Sequence, residues 1–143
     1  MLNNISKYFM IFILASLPLY VAAEPISVTC KYQVSVAANI SIADSSKVDV
    51  TTNVKETDDM AFSFVMEEGE NKAYMQGNNG ATAVNVIWGD EKVSFVEITG
   101  NGTVQVTAIY GKQRGRFASV HSRSTGGKGY EMPSQYYGVC EFK

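Results

Sequence analysis

The run Ile26-Ser-Val28-Thr-Cys30-Lys-Tyr32-Gln-Val34-Ser-Val36 alternates apolar and polar residues without a break. Successive side chains of a strand point to opposite faces, so a period of two describes a strand with one buried face and one wet face. Ile26, Val28, Cys30, Tyr32, Val34 and Val36 fall on the buried side. Cys30 therefore sits where a bridge to another strand can form without exposing sulfur.

The same pattern recurs along the chain. Val48, Val50, Thr52 and Val54 alternate with Asp49, Thr51 and Asn53, and Met60, Phe62, Phe64 and Met66 form a bulkier apolar row. Further short strands are expected around Ala73–Met75, Thr82–Trp88, Val93–Ile98, Thr103–Tyr110, Phe117–Ser122 and Gln135–Phe142. Between them lie Glu68-Gly-Glu-Asn71, Gly77-Asn-Asn-Gly80, Gly89-Asp-Glu91, Gly100-Asn-Gly102 and Gly111-Lys-Gln113. Gly and Asn tolerate the positive φ of tight hairpins, so these read as turns. Residues 37–46 fit either a loop or a short strand, and Ser124–Ser134, with three glycines and a proline, reads as the longest loop. No amphipathic helix interrupts the series. The expectation is an all-β domain: a single antiparallel meander of about eight or nine strands, closed as a small barrel or folded as a sandwich.

Length bounds this to one domain. Residues 1–23 carry Lys7, an apolar stretch from Tyr8 to Val21 and the small residues Ala22-Ala23, which is the pattern of a cleavable signal peptide. The stretch falls short of the ~18 apolar residues that a membrane span needs. Cleavage after Ala23 would leave residues 24–143 as a periplasmic or secreted domain with no stable membrane span. Only two cysteines occur, Cys30 and Cys140, and export would place both in an oxidising compartment. Their bridge would tie the first strand to the last, which favours the barrel over the sandwich. In the chain-entropy account a loop of that length contributes at most about 4–5 kcal/mol.

Charge is uneven. Residues 24–97 hold 12 acids and 5 bases, whereas residues 98–143 hold 2 acids and 6 bases. No acid lies between Glu97 and Glu131, an interval that contains Lys112, Arg114, Arg116, His121, Arg123 and Lys128. A domain acidic overall is a poor nonspecific nucleic-acid binder, so no nucleic-acid partner is expected. The basic stretch runs into Pro133-Ser-Gln-Tyr136-Tyr137. Arginine pairs with anions and tyrosine offers stiff amphipathic contact area, so Arg114, Arg116, His121, Arg123 and Tyr137 are the candidate binding residues. Tyr136 shares strand parity with Cys140 and is assigned to the core.

The chemistry available for catalysis is thin. His121 is the single histidine, flanked by Ser119 and Ser122, and no nucleophile elbow surrounds any serine. With both cysteines bridged, the chain cannot furnish a zinc site, and Asp58-Asp59 or Glu67-Glu68-Glu70 lack calcium-loop spacing. Glu97, the one acid inside an apolar strand, fits a base-paired or bulge position. No enzyme activity and no cofactor are expected.

The segments Val96-Glu-Ile-Thr-Gly-Asn-Gly-Thr103, Ser122-Arg123 and Pro133-Ser-Gln-Tyr-Tyr-Gly-Val-Cys140 resemble a pattern in uncharacterised small exported bacterial proteins. The resemblance covers the C-terminal third and implies export and a bridged Cys140, without implying an activity. The architecture is also loosely similar to small periplasmic lysozyme inhibitors, whose inhibitory loop motif is absent from this sequence. The leading expectation is a noncatalytic exported protein that binds an anionic ligand, envelope polymer or protein through residues 112–137. Two alternatives are an accessory subunit of an envelope assembly and a carrier holding an apolar ligand among Met60, Phe62, Phe64, Met66 and Trp88.

Overall fold

The computed structural model describes residues 24–44, 47–77, 80–127 and 130–143. The leader expected at residues 1–23 lies outside the described residues, as does Lys128, and the side chains of Asp58 and Asp59 are likewise not described. Eight strands follow one another: β1 (Ile26–Asp44), β2 (Lys47–Met66), β3 (Lys72–Gly77), β4 (Gly80–Trp88), β5 (Lys92–Ile98), β6 (Val104–Gln113), β7 (Arg116–Gly127) and β8 (Tyr130–Phe142). Every neighbour pair is antiparallel, and β8 returns to β1, so the meander closes as a barrel. Within the barrel, closure removes the sheet edges that a sandwich of the same strands would leave open.

Period-two alternation fills the lower half of this barrel. Val28, Cys30, Phe64, Met66, Ala73, Val84, Val86, Val93, Phe95 and Ile109 are buried there, with Phe64 and Phe95 stacked at 4.0 Å between ring centroids. Each large apolar side chain buried in this way contributes roughly 1.5–3 kcal/mol. Cys30 pairs directly with Cys140 across the β1–β8 ladder, and the two are joined by a disulfide spanning 110 residues of chain.

Gln33 changes the outcome of the opening alternation. Tyr32 opposes Gly138 and Val34 opposes the very next residue, Tyr137, so Gln33 is an extra residue on β1 and forms a bulge. From Val34 onward the parity inverts, and Val34 and Val36 leave the core face on which the sequence pattern had put them. The bulge brings the two backbones so close that a Cβ on Gly138 would stand 2.0 Å from the Lys31 carbonyl oxygen. Only glycine permits that approach.

Several other expectations are corrected. Residues 48–54 and 60–66 belong to one strand, β2, which carries its own irregularity opposite the Gln33 bulge. Residues 37–44 extend β1, and within the supposed loop residues 124–127 belong to β7 and residues 130–134 to β8, paired with each other. The β6–β7 turn is Arg114-Gly115, both at positive φ (48° and 85°), while Gly111, Lys112 and Gln113 lie within β6. As a result β2, β1, β8 and β7 run on past the barrel mouth as a four-stranded extension. There the aliphatic side chains Val48, Val50 and Val54 are exposed.

Candidate ligand-binding cup at the barrel mouth

Above the filled half, the inward-facing positions turn polar. Tyr32, Thr107, Ser119 and His121 are all buried in the interior. The Tyr32 hydroxyl and Ser119 Oγ lie 3.1 Å apart, and Thr107 Oγ1 lies 2.8 Å from His121 Nδ1. Whichever atom of that second pair supplies the proton, Nε2 has no hydrogen-bond partner among the described residues. The imidazole stands among three aromatic rings, with centroids of Phe62 at 4.7 Å, Tyr32 at 5.9 Å and Tyr136 at 5.9 Å. Burial, with the Arg123 charge adding to it, lowers the His121 pKa to about 4, so the ring is neutral at pH 7. Burial likewise pushes the Tyr32 phenol above its usual value, against hydrogen bonds from Ser119 and Thr107.

Over this polar layer the barrel opens into a cup of about 510 Å³. One wall is apolar, made by Met60, Phe62 and Met75 with Gly77; the other carries Glu97, Gln105, Arg123 and Tyr136. Strand register explains the polar wall. Glu97 opposes Gln105 and Gln105 opposes Arg123, so the three side chains form a row across β5, β6 and β7 on the inner face. Arg123 is held from the β8 side: its Nε donates to Ser134 Oγ at 3.0 Å, its NH2 donates to the Tyr136 hydroxyl, and its guanidinium carbon sits 4.9 Å from the Tyr136 ring centroid. These contacts orient a cation at the rim of the cup, facing its apolar wall. Glu97 makes no ion pair among the described residues; the pair seen there is Lys47–Asp49.

The five candidate residues taken from the basic stretch do not form one surface. Arg114 and Arg116 lie at the β6–β7 turn, at the end of the barrel opposite the mouth. His121 is inside, Tyr137 faces outward with its hydroxyl donating to Gln135 Oε1 at 2.5 Å, and Arg123 alone reaches the cup. Strand parity separates them, since residues 121 and 123 share the inner face and the turn at 114 lies a strand length away. Nor does His121 bond to Ser119 or Ser122; Thr107 holds it instead. Trp88 is 40% exposed at the end of β4, donating to the Glu70 carbonyl oxygen at 2.8 Å, and is not among the residues that line the cup. The assignment of Tyr136 to the inner face holds, because it packs against the core.

Glu97 and Gln105 are the cup residues the sequence reading left without a binding role. Their signal was a polar residue at an inward position of an otherwise apolar strand. A second hollow, about 480 Å³, is lined by Val36, Ala38, Val104, Val106, Ser122 and Gln135 and also borders Arg123 and Ser134, but holds no acid opposite that arginine. Among the described residues no group of acids, histidines and cysteines is placed to hold a metal ion. No family model, curated protein or solved structure matches this chain.

Proposed function

We propose that this protein is a noncatalytic exported binding protein whose ligand is a small amphiphile seated in the barrel-mouth cup. The observation that carries the reading is the pairing of a pre-oriented Arg123 guanidinium with the facing apolar wall of Met60, Phe62 and Met75. Ligand sites are concave and fix orientation with a few converging polar groups, and the cup sets such groups against one apolar wall. Arg123 meets an anionic head while the apolar wall takes the remainder of the molecule. Glu97 repels a bare anion, so the head that suits both ends of the row carries a donor or cation beside its anion. The bridge between Cys30 and Cys140 is compatible with an oxidising compartment, which supports a periplasmic or secreted location.

L-phenylalanine and phenylacetate are the probes that separate these terms, because they differ in the ammonium group that Glu97 would meet. Calorimetric titration up to about 10 mM, a range that reaches contacts worth only a few kcal/mol, is expected to show L-phenylalanine binding more tightly. Arg123→Gln should weaken it by about tenfold or more. Absence of binding by either probe, or binding indifferent to Arg123→Gln, would overturn the reading.

A further inference from the structure

The distal part of β2 poses a separate question. Between Lys47 and Phe62 this strand pairs with β1 on one side, whereas β3 joins it only along Ser63–Met66. Among the described residues no strand pairs with its other side, which presents a row of backbone N–H and C=O groups. An open edge of this kind is a template for another strand. From Val48 to Glu56 the pairing with β1 runs without a bulge, and the stretch contains neither proline nor glycine. Three aliphatic side chains, Val48, Val50 and Val54, stand 59%, 55% and 67% exposed along it.

We propose that this edge pairs with the same edge of a second copy of the chain, antiparallel, about a twofold axis at Thr52. Directly opposite residues in a ladder share a face, so two identical strands can meet only in registers that oppose positions of equal parity. The register centred on Thr52 places Asp49 opposite the partner's Lys55, Val50 opposite the partner's Val54 and Thr51 opposite the partner's Asn53. Twofold symmetry makes each of these contacts twice. Centring on Thr51 instead sets Lys47 against the partner's Lys55, two like charges face to face. Centring on Asn53 leaves Asp49 facing the partner's Thr57 and Lys55 facing the partner's Thr51; a valine meets the partner's Glu56 in that register (Val50) as it does in the one centred on Thr52 (Val48). Within the bulge-free stretch Val48–Glu56, Thr52 is the centre that sets opposite charges, Asp49 and Lys55, against each other, which favours a second copy of the chain in this register. Asp49 already meets Lys47 at 3.2 Å, but both side chains are largely in water, and such a pair is readily exchanged.

Sedimentation of the disulfide-bonded protein tests this directly. The mass should double as concentration rises toward about 0.1 mM, since one strand pairing lies at the small end of interface sizes. Asp49→Lys and Lys55→Asp should each reduce association by about tenfold or more, and the double exchange D49K/K55D should restore it. Thr52→Cys should form a covalent dimer under mild oxidation far faster than Thr51→Cys. A monomer at every concentration overturns the proposal. So does a dimer that ignores the charge exchanges while far-ultraviolet circular dichroism shows every variant folded.

Discussion

At the scale of single residues, His121 carries the clearest pH signature. Its pKa is lowered from 6.5 in the unfolded chain to about 4 in the folded one, so between these values the unfolded chain binds the extra proton. The stabilising contribution of the neutral imidazole is therefore complete above pH 6.5 and is lost as pH falls toward 4, with an upper size of about 3 kcal/mol. Urea unfolding across pH 5–7 should show stability falling with acid, and His121→Gln should flatten that slope. Gly138 makes a different demand. Gly138→Ala forces a Cβ into the β1 backbone at the bulge and should destabilise by about 2–3 kcal/mol or prevent barrel closure, read as a lower urea midpoint. The sequence disclosed Cys30 as a core position because its neighbours alternate cleanly. It did not disclose Gln33 as a bulge, because the alternation continues through Val34 and Val36 and a parity change leaves no mark in composition. Arg123 was legible as a candidate by its charge, while its separation from Arg114 and Arg116 depends on strand register.

Among the elements, hairpin chemistry explains both what the pattern revealed and what it obscured. Gly100-Asn101-Gly102 forms the expected turn, with Thr99 N donating to Thr103 O at 2.9 Å and Gly102 at φ 83°. At β6–β7 two turn signals compete, and Arg114-Gly115 wins over Gly111-Lys-Gln113 because β6 and β7 continue their pairing through Lys112↔Phe117 and Gln113↔Arg116. Arg114 pays for this with φ 48°, a conformation that asparagine accepts more readily. Arg114→Asn should raise stability by roughly 0.5–1 kcal/mol in urea titration and leave ligand binding unchanged. The nine apolar runs become eight strands because β2 passes through its irregularity near residues 57–59 without ending.

For the whole molecule, the disulfide and barrel closure act together. Cys30 and Cys140 face each other across the seam where the first strand meets the last, so the bridge closes the meander covalently. Replacing both by serine should cost up to about 4–5 kcal/mol while the far-ultraviolet β signature persists. Closure also leaves one end packed and the other open, because large apolar residues fill the interior at one end while at the other Glu97, Gln105, Arg123 and Tyr136 face a wall of Met60, Phe62 and Met75 across an open cup. That asymmetry is the basis of the binding reading. It is tested most directly by mapping backbone and methyl nuclear resonance shifts during titration with L-phenylalanine. The account predicts that the perturbed residues cluster at Met60, Phe62, Met75, Gln105, Arg123 and Tyr136 and that Arg123→Gln abolishes the pattern. Shifts centred on Arg114 and Arg116, or on the second hollow at Val36 and Val106, would contradict it.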